Sequence, residues 1–296
     1  TTVTCYGDSN NTTTTCPTNT IDETSKALID NHIWNTGAPN DSTLYDSTIK
    51  GLRPKTVEIL DKLSKDDNYD LFIATGRTIN TIVCLDPYKK YFKGFVLANG
   101  QNIIIDDKVM YCNGIDYHEV NRFVKYATEH NYCVMMLTLD KLYINIMDET
   151  TIDNFRKYVN LHIDFIQKQV FDANDFVNQM WIFVSNEVID ELRPLFPKLE
   201  IIKWGYFAAD IIPHNASKGD GVEMVIKQLG YKLENTYAIG DSDNDTVMFE
   251  KVGTSICMGN GTPAAKLSAK IIGEDITNDG LDKSIRKYIM KEKEQR

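Results

Sequence analysis

Residues 237–261 read YAIGDSDNDTVMFEKVGTSICMGNG, and this stretch indicates the fold class. A short apolar run stops at Gly240 and opens into an acidic loop from Asp241 to Asp245. A helical segment follows, and a second apolar run ends in the turn MGNG. In open α/β sheets, ligands bind at the carboxyl ends of the strands. The stretch therefore predicts parallel strands with a polar site where the first strand ends.

The same alternation of strand and helix appears earlier in the chain. PKTVEILDKLSK (54–65) places Val57, Leu60 and Leu63 on one helical face after a proline suited to a first turn. YDLFIATGR (69–77) and FKGFVLANG (92–100) are short apolar runs that end in turn residues, as buried strands do. The alternation predicts a parallel sheet with crossover helices.

The middle of the chain has a different pattern, which predicts a second domain. NIIIDDKVMYC (102–112) is typical of a hairpin, and helices and paired strands follow it. We predict an α/β fold with a parallel-sheet core, formed by residues 25–105 and 204–296. An α+β module at 106–203 is inserted into this core. Residues 1–24 are rich in Thr and Asn and are expected to form a poorly ordered extension.

Composition excludes several functional classes. The net charge is −10 and the pI is about 5.0, which argues against a nucleic-acid partner. No apolar run approaches the ~18 residues of a membrane helix. The six cysteines are scattered without a Cys-x-x-Cys pair, which favours a reduced, cytoplasmic location.

Four polar stretches follow predicted core strands or begin a core helix. They are Asp30 with Asp41, Thr75-Gly76-Arg77, Lys218, and the loop from Asp241 to Asp245. Alone, Thr75-Gly76-Arg77 is more often an ordinary turn and Lys218 is more often a solvated lysine, whereas the loop from Asp241 to Asp245 suits a metal site about as well as a surface loop. An EF-hand is excluded, because DSDNDTVMFE lacks the closing glutamate at the required position. Their order along the chain is a more specific signal than any one of them.

In that order the motifs resemble the haloacid dehalogenase superfamily, in its Cof-like branch with a large α/β cap. LFIATGR matches the second motif of the family, SKGDGV the third, and residues 237–261 the fourth. The resemblance implies that the parallel-sheet core is Rossmann-like and that the α+β module at 106–203 is a cap domain. It also implies Mg²⁺-dependent hydrolysis of small phosphate monoesters, such as sugar phosphates, through an aspartyl-phosphate. A monomer or weak homo-oligomer acting on a small phosphorylated metabolite is expected.

The resemblance also implies a role for each motif residue, and the residue types suit the chemistry. A carboxylate can attack phosphorus, an ammonium and a hydroxyl can bind the phosphoryl oxygens, and Mg²⁺ prefers oxygen ligands. The implied catalytic residues are Asp30, Asp41, Thr75 and Lys218. The implied metal ligands are Asp30, Asp41, Asp241 and Asp245. The implied substrate-binding residues are Thr75, Gly76, Arg77, Asn99, Lys218 and Asn244.

The first motif is interrupted, and three interpretations remain open. In SKALIDNHIWNTGAPNDSTLYDS (25–47), the family's Asp-x-Asp-x-Thr-Leu is recovered as SKALIDNDSTLYDS if residues 31–39 are an insertion. Asp30 is then the nucleophile and Asp41 the general acid. Alternatively, Pro39 occupies the nucleophile's place in an uninterrupted PNDST, and the protein is catalytically silent. In the third interpretation, Asp8 of VTCYGDSNNTT (3–13) is the nucleophile.

These interpretations give two functional hypotheses. The first is a phosphatase, and the second is a catalytically impaired relative that binds a phosphorylated ligand or a protein partner. The block YGDSN also resembles SGNH esterases, with Ser9 as nucleophile, but no histidine has the aspartate three residues earlier that this family requires. Turnover, rather than binding, separates the two hypotheses.

Overall fold

The structure is a computed structural model, in which the chain forms two compact units. It describes residues 2–4, 13–15, 25–30, 43–46, 49–139, 141–159, 164–203, 208–214 and 216–292. The core unit takes residues 18–76, 83–109 and 217–296, and the inserted unit takes residues 1–17, 77–82 and 110–216. Within the described ranges, no helix has the length and apolar character that crossing a membrane requires.

The described residues form strands and α-helices in both units, together with short 3₁₀ segments. The strands are, in chain order, β1 (Thr2–Thr4), β2 (Thr13–Thr15), β3 (Ser25–Asp30), β4 (Tyr69–Ala74), β5 (Gly94–Leu97), β6 (Asn102–Ile105), β7 (Lys108–Cys112), β8 (Val134–Leu137), β9 (Leu142–Ile144), β10 (Ile166–Gln167), β11 (Gln179–Ile182), β12 (Leu199–Lys203), β13 (Ala209–Pro213), β14 (Thr236–Gly240), β15 (Thr254–Cys257) and β16 (Ile271–Ile272). The α-helices are α1 (Pro54–Leu63), α2 (Tyr117–Glu129), α3 (Glu149–Val159), α4 (Asn186–Leu195), α5 (Lys218–Gln228), α6 (Thr246–Phe249), α7 (Pro263–Ser268) and α8 (Gly280–Ser284). Single 3₁₀ segments lie at 83–91, 98–100, 233–235, 243–245 and 276–278, and a π-helical turn at 285–289 follows α8.

The sheet of the core unit is mostly parallel, which confirms the predicted fold class. Its strand order is β16-β15-β14-β3-β4-β5-β6-β7, with β6 antiparallel to β5. Strand β3 lies between β4 and β14 and is parallel to both. Asp30 pairs with Ala74, and Ile29 pairs with Ile239. Because adjacent strands are about 4.8 Å apart, the ends of these three strands form one short edge.

Helix α1 forms as predicted, but its buried stripe is shifted. Pro54 is its first residue, where the missing N–H costs nothing. Ile59, Leu60 and Leu63 are fully buried, whereas Val57 is only half-buried. Burial of each of these large aliphatic side chains contributes about 1.5–3 kcal/mol. Leu60 and Leu63 of the expected face are therefore buried, and Ile59 is buried in addition, whereas Val57 is not.

The inserted unit contains a six-stranded sheet of a different kind. Its strand order is β10-β9-β8-β11-β13-β12, antiparallel except between β9 and β10, so the predicted antiparallel layer is confirmed. Alternate residues of the central strands, including Met136, Met180 and Ile211, share one apolar cluster with Phe123 of α2 and Leu192 of α4. This alternation follows from the two-residue period of a strand.

The thiol of Cys133, which directly precedes β8, is buried, and burial together with the nearby charge of Asp148 raises its pKa to about 12. A raised pKa in the folded state stabilises the protein below the unfolded thiol's ordinary value of 9.0, and this stabilisation is lost as the pH rises towards 12. Between pH 8 and 10.5 we expect the wild type to lose about 2 kcal/mol more free energy of unfolding than Cys133→Ala. Urea titrations of both proteins at the two pH values measure this difference, and parallel losses would contradict it.

Candidate active site

The acidic loop after β14 is closed by hydrogen bonds to the side chain of Asp245. Its Oδ2 accepts from the backbone N–H groups of Asp241 (2.8 Å) and Ser242 (2.9 Å), and from Ser242 Oγ (3.1 Å). This is a capping box around the 3₁₀ turn 243–245. Asp245 is fully buried. Its carboxylate therefore fixes the shape of the loop in which Asp241 and Asn244 lie.

Lys218 is paired with this loop. It is the first residue of α5, which Ser217 caps by accepting from the N–H of Asp220 at 3.1 Å. The Lys218 ammonium donates to Asp245 Oδ1 at 2.5 Å and to Asn244 Oδ1 at 3.2 Å. Both side chains of the ion pair are 0% exposed. Considered alone, Lys218 is more often expected in solvent, but the loop supplies the carboxylate that a buried ammonium requires.

Thr43 brings the second half of the first motif to the same loop. Its Oγ1 donates to Asp241 Oδ1 at 2.5 Å, and both residues are buried. In the sequence, Thr43 occupies the threonine position of the first motif, but we predicted no role for it at the site. Its position in Asp41-Ser42-Thr43 is the feature from which such a role could have been predicted. The contact links segments 198 residues apart in the chain.

The motif Thr75-Gly76-Arg77 follows β4. Thr75 is buried, its N–H donates to Val96 O at 2.9 Å, and its carbonyl accepts from the N–H of Asn99 at 3.1 Å. The guanidinium of Arg77 is buried and donates to Thr81 O at 2.7 Å, within the inserted unit. Thr75 is thus hydrogen-bonded to the turn that contains Asn99, and Arg77 is hydrogen-bonded to a backbone carbonyl.

Asn99 and Asn244 meet side chain to side chain. Asn244 Nδ2 donates to Asn99 Oδ1 at 3.3 Å, and Asn244 Oδ1 accepts from Lys218 and from Ser242 Oγ, the latter at 2.7 Å. Predicted site residues from three parts of the sequence, Asn99, Lys218 and the loop 241–245, therefore form one hydrogen-bonded group in the core unit. Gly76 is buried beside Thr75 in the chain.

The three candidate first-motif aspartates differ in what the structure describes. Asp30 is the last residue of β3, so its backbone lies between the strands that lead to Thr75 and to Asp241. Asp41 and Asp8 lie outside the described residues, as do Pro39 and the rest of the segment 31–42. The predicted strand ending on Asp30 is confirmed.

The described part of the site offers oxygen donors of the kind that Mg²⁺ binds. Among the residues that the structure describes, no three His, Cys, Asp or Glu side chains cluster as a metal site. Asp241 offers a buried carboxylate, the oxygen ligand that Mg²⁺ prefers. Asp245 has an ammonium 2.5 Å from one oxygen and three N–H or O–H donors on the other. These contacts favour Asp241 as a direct ligand and Asp245 as the residue that holds the loop.

The thiol of Cys257, at the end of β15, is not suited to be the nucleophile of this site. Burial, together with the nearby charges of Asp241 and Asp245, raises its pKa to about 12. A thiol with such a pKa is protonated at neutral pH, and the thiolate is the reactive form. Cys257 is therefore a protonated, buried thiol at neutral pH.

Comparison with known proteins identifies the family. The sequence model of the haloacid dehalogenase-like hydrolases matches residues 41–285. YkrA of Bacillus subtilis (strain 168), a provisionally named phosphatase, is 26% identical over 247 residues, covering 83% of this chain and 94% of YkrA. The 5-amino-6-(5-phospho-D-ribitylamino)uracil phosphatase YcsE of the same bacterium is 25% identical over 233 residues, covering 77% of this chain and 85% of YcsE.

A solved structure agrees with this assignment at the level of the fold. The HAD subclass IIB sugar phosphatase BT4131 superimposes with a TM-score of 0.75 and 23% identity, over 90% of this chain and 99% of that chain. The family match covers well over half of the sequence and includes the Lys218 and Asp241–Asp245 motifs. The chain belongs to the haloacid dehalogenase-like hydrolases.

Proposed function

We propose that the protein is a Mg²⁺-dependent phosphatase that hydrolyses small phosphate monoesters through an aspartyl-phosphate on Asp30. The observation that carries the proposal is the hydrogen-bonded group of buried Lys218, Asp245 and Asp241 with half-buried Asn244, at the edge of the sheet where β3 ends. A buried ammonium is suited to the phosphoryl oxygens, whose negative charge is spread over three atoms. The relatives support a small phosphate ester as substrate, because YcsE and BT4131 are named for such compounds.

The proposed reaction uses two carboxylates in turn. Asp30 attacks phosphorus, the bond from phosphorus to the ester oxygen breaks, and Asp41 protonates the leaving alcohol. Asp41 then takes a proton from water, whose oxygen attacks the aspartyl-phosphate, and inorganic phosphate leaves with the Asp30 carboxylate restored. Lys218 and Thr75 bind the phosphoryl oxygens throughout.

Bound Mg²⁺ would supply charge neutralisation at the transferred phosphoryl group. Asp241 would hold the metal together with Asp30 and Asp41. Asp245 would keep Lys218 and the loop in place. Without a cation, several carboxylates converging on one phosphate would repel it.

Two structural features favour Asp30 over the other candidates for nucleophile. Strand β3 ends on Asp30 between β4 and β14, as the family's first motif requires. Strand β1, which precedes Asp8, pairs with β2 in a separate two-stranded sheet. We also propose a cytoplasmic, monomeric or weakly self-associating enzyme with a small phosphorylated metabolite as its partner.

The test is hydrolysis of an aryl phosphate with Mg²⁺ and with EDTA. We expect turnover with Mg²⁺, loss of turnover with EDTA, and a decrease of about 10³-fold or more in Asp30→Asn, because the nucleophile is removed. Asp41→Asn should lose about 10²-fold or more, since it removes the general acid. Asp8→Asn is the control and should keep wild-type activity.

Two outcomes would replace the proposal. Loss of activity in Asp8→Asn with an active Asp30→Asn would move the nucleophile to Asp8. No turnover in any form would favour the second candidate function, a silent relative that binds a phosphorylated ligand or partner. The interruption of the first motif by residues 31–39 is the observation that keeps this candidate open.

A further inference from the structure

The turn Ala98–Asn99–Gly100, between β5 and β6, has an unusual backbone. Its φ angles are +49°, +53° and +93°, so three consecutive residues lie in the left-handed region. For Ala98 this region costs about 1–2 kcal/mol, whereas asparagine and glycine adopt it more readily. All three residues are buried. Strained backbone of this kind persists only where its surroundings hold it, and it is concentrated at functional sites.

The strained turn brings the amide of Asn99 to the loop after β14. The Asn99 N–H donates to Thr75 O at 3.1 Å, which anchors the turn to the end of β4. Its Oδ1 accepts from Asn244 Nδ2 at 3.3 Å. Asn99 is 1% exposed. The residue therefore connects the ends of two strands of the core sheet through one backbone and one side-chain hydrogen bond.

The contacts of Asn244 with Asn99, Lys218 and Ser242 all favour the same orientation of its amide. With Nδ2 donating to Asn99, the oxygen of Asn244 accepts from the Lys218 ammonium at 3.2 Å and from Ser242 Oγ at 2.7 Å. If the amide rotated by 180°, its NH₂ group would face the ammonium, and donor would oppose donor. Because Asn244 is half-buried, contact with solvent would offset only part of the cost of this mismatch.

From this geometry we infer that Asn99 is a positioning residue that acts on Lys218 through the amide of Asn244. This inference rests on the proposed phosphatase function. It gives Asn99 a role other than the direct substrate contact that the family resemblance implies. The loss of Asn99 should affect kcat more than KM, because the contact of Lys218 with the phosphoryl group matters most as charge develops in the transition state.

The test is a double-mutant cycle on aryl phosphate hydrolysis. Asn99→Gly removes the amide and fits φ +53° without strain, and we expect kcat to fall about 10-fold. Asn99→Asp keeps an oxygen acceptor for Asn244 but adds a negative charge at a buried position, so it is compared with Asn99→Gly by the Asn244 signals described below rather than by turnover. In the Asn244→Ala variant, the addition of Asn99→Gly should lower kcat by less than about 2-fold, because the contact between the two amides is already absent. Asn131→Gly is the matched control, because Asn131 also has a left-handed backbone (φ +57°) but is exposed, and its turnover should not change.

A second readout does not depend on turnover. The side-chain NH₂ signals of Asn244, assigned by their absence in Asn244→Ala, should shift in Asn99→Gly and remain near their wild-type positions in Asn99→Asp. Additive losses in the cycle, or unchanged Asn244 signals in Asn99→Gly, would overturn the inference. A wild type without turnover would overturn the proposed function, while the NH₂ signals would still test the positioning contact.

Discussion

Lys218→Met is expected to lower the free energy of unfolding by about 3–5 kcal/mol and turnover by about 10²-fold or more. The substitution leaves the Asp245 carboxylate, which is 0% exposed, without the ammonium at 2.5 Å. A buried charge that has lost its partner is among the most costly defects in a folded protein. Urea denaturation followed by circular dichroism gives the stability, and aryl phosphate hydrolysis gives the activity.

Two comparisons isolate the buried pair. In Lys218→Met/Asp245→Asn the net charge of the site is restored, and we expect most of the stability to return while turnover stays low. Lys65→Met removes an exposed pair, since Lys65 is 70% and Asp61 is 42% exposed, and it should change stability by less than about 1 kcal/mol. A loss of under about 1 kcal/mol in Lys218→Met would contradict the structural role of the pair.

Gly100→Ala is expected to cost about 3 kcal/mol or more and to lower turnover by about 10-fold or more. At φ +93° an L side chain is strained, and a Cβ here would lie 2.2 Å from the carbonyl oxygen of Ser217. Relief of this clash requires a shift of the first turn of α5, where Lys218 begins the helix. Stability and turnover of the purified variant measure the two effects.

Gly230→Ala is the control that separates backbone strain from the clash. Gly230 also has a positive φ, +66°, but a Cβ there would meet nothing within 4 Å. Its cost should therefore be the backbone term alone, about 1 kcal/mol, with activity unchanged. Equal effects at the two glycines would show that α5 and the turn 98–100 are not packed as tightly as the structure indicates.

The fold class was predictable because its signals are local. Short apolar runs ended by polar clusters, as in β4 and β14, have the period and length of buried strands. Strands β12 and β13 and helix α4 were missed. Asp210 interrupts the apolar run of β13, and Pro194 lies inside α4, so β13 and α4 do not have the regular local pattern of a strand or a helix. Pairing with neighbouring strands and packing of an apolar face decide such elements.

By itself the sequence determined the strand-and-loop order of the core, and its motifs predicted which residues form the candidate site. Tertiary structure alone decided that the Lys218 ammonium is buried on Asp245, that Thr43 donates to Asp241, and that Asn99 contacts Asn244. The last two pairs are 198 and 145 residues apart in the chain. The periodicity that reveals a strand or helix extends over a few residues, whereas these contacts form only when separate strand ends meet at one edge of the sheet.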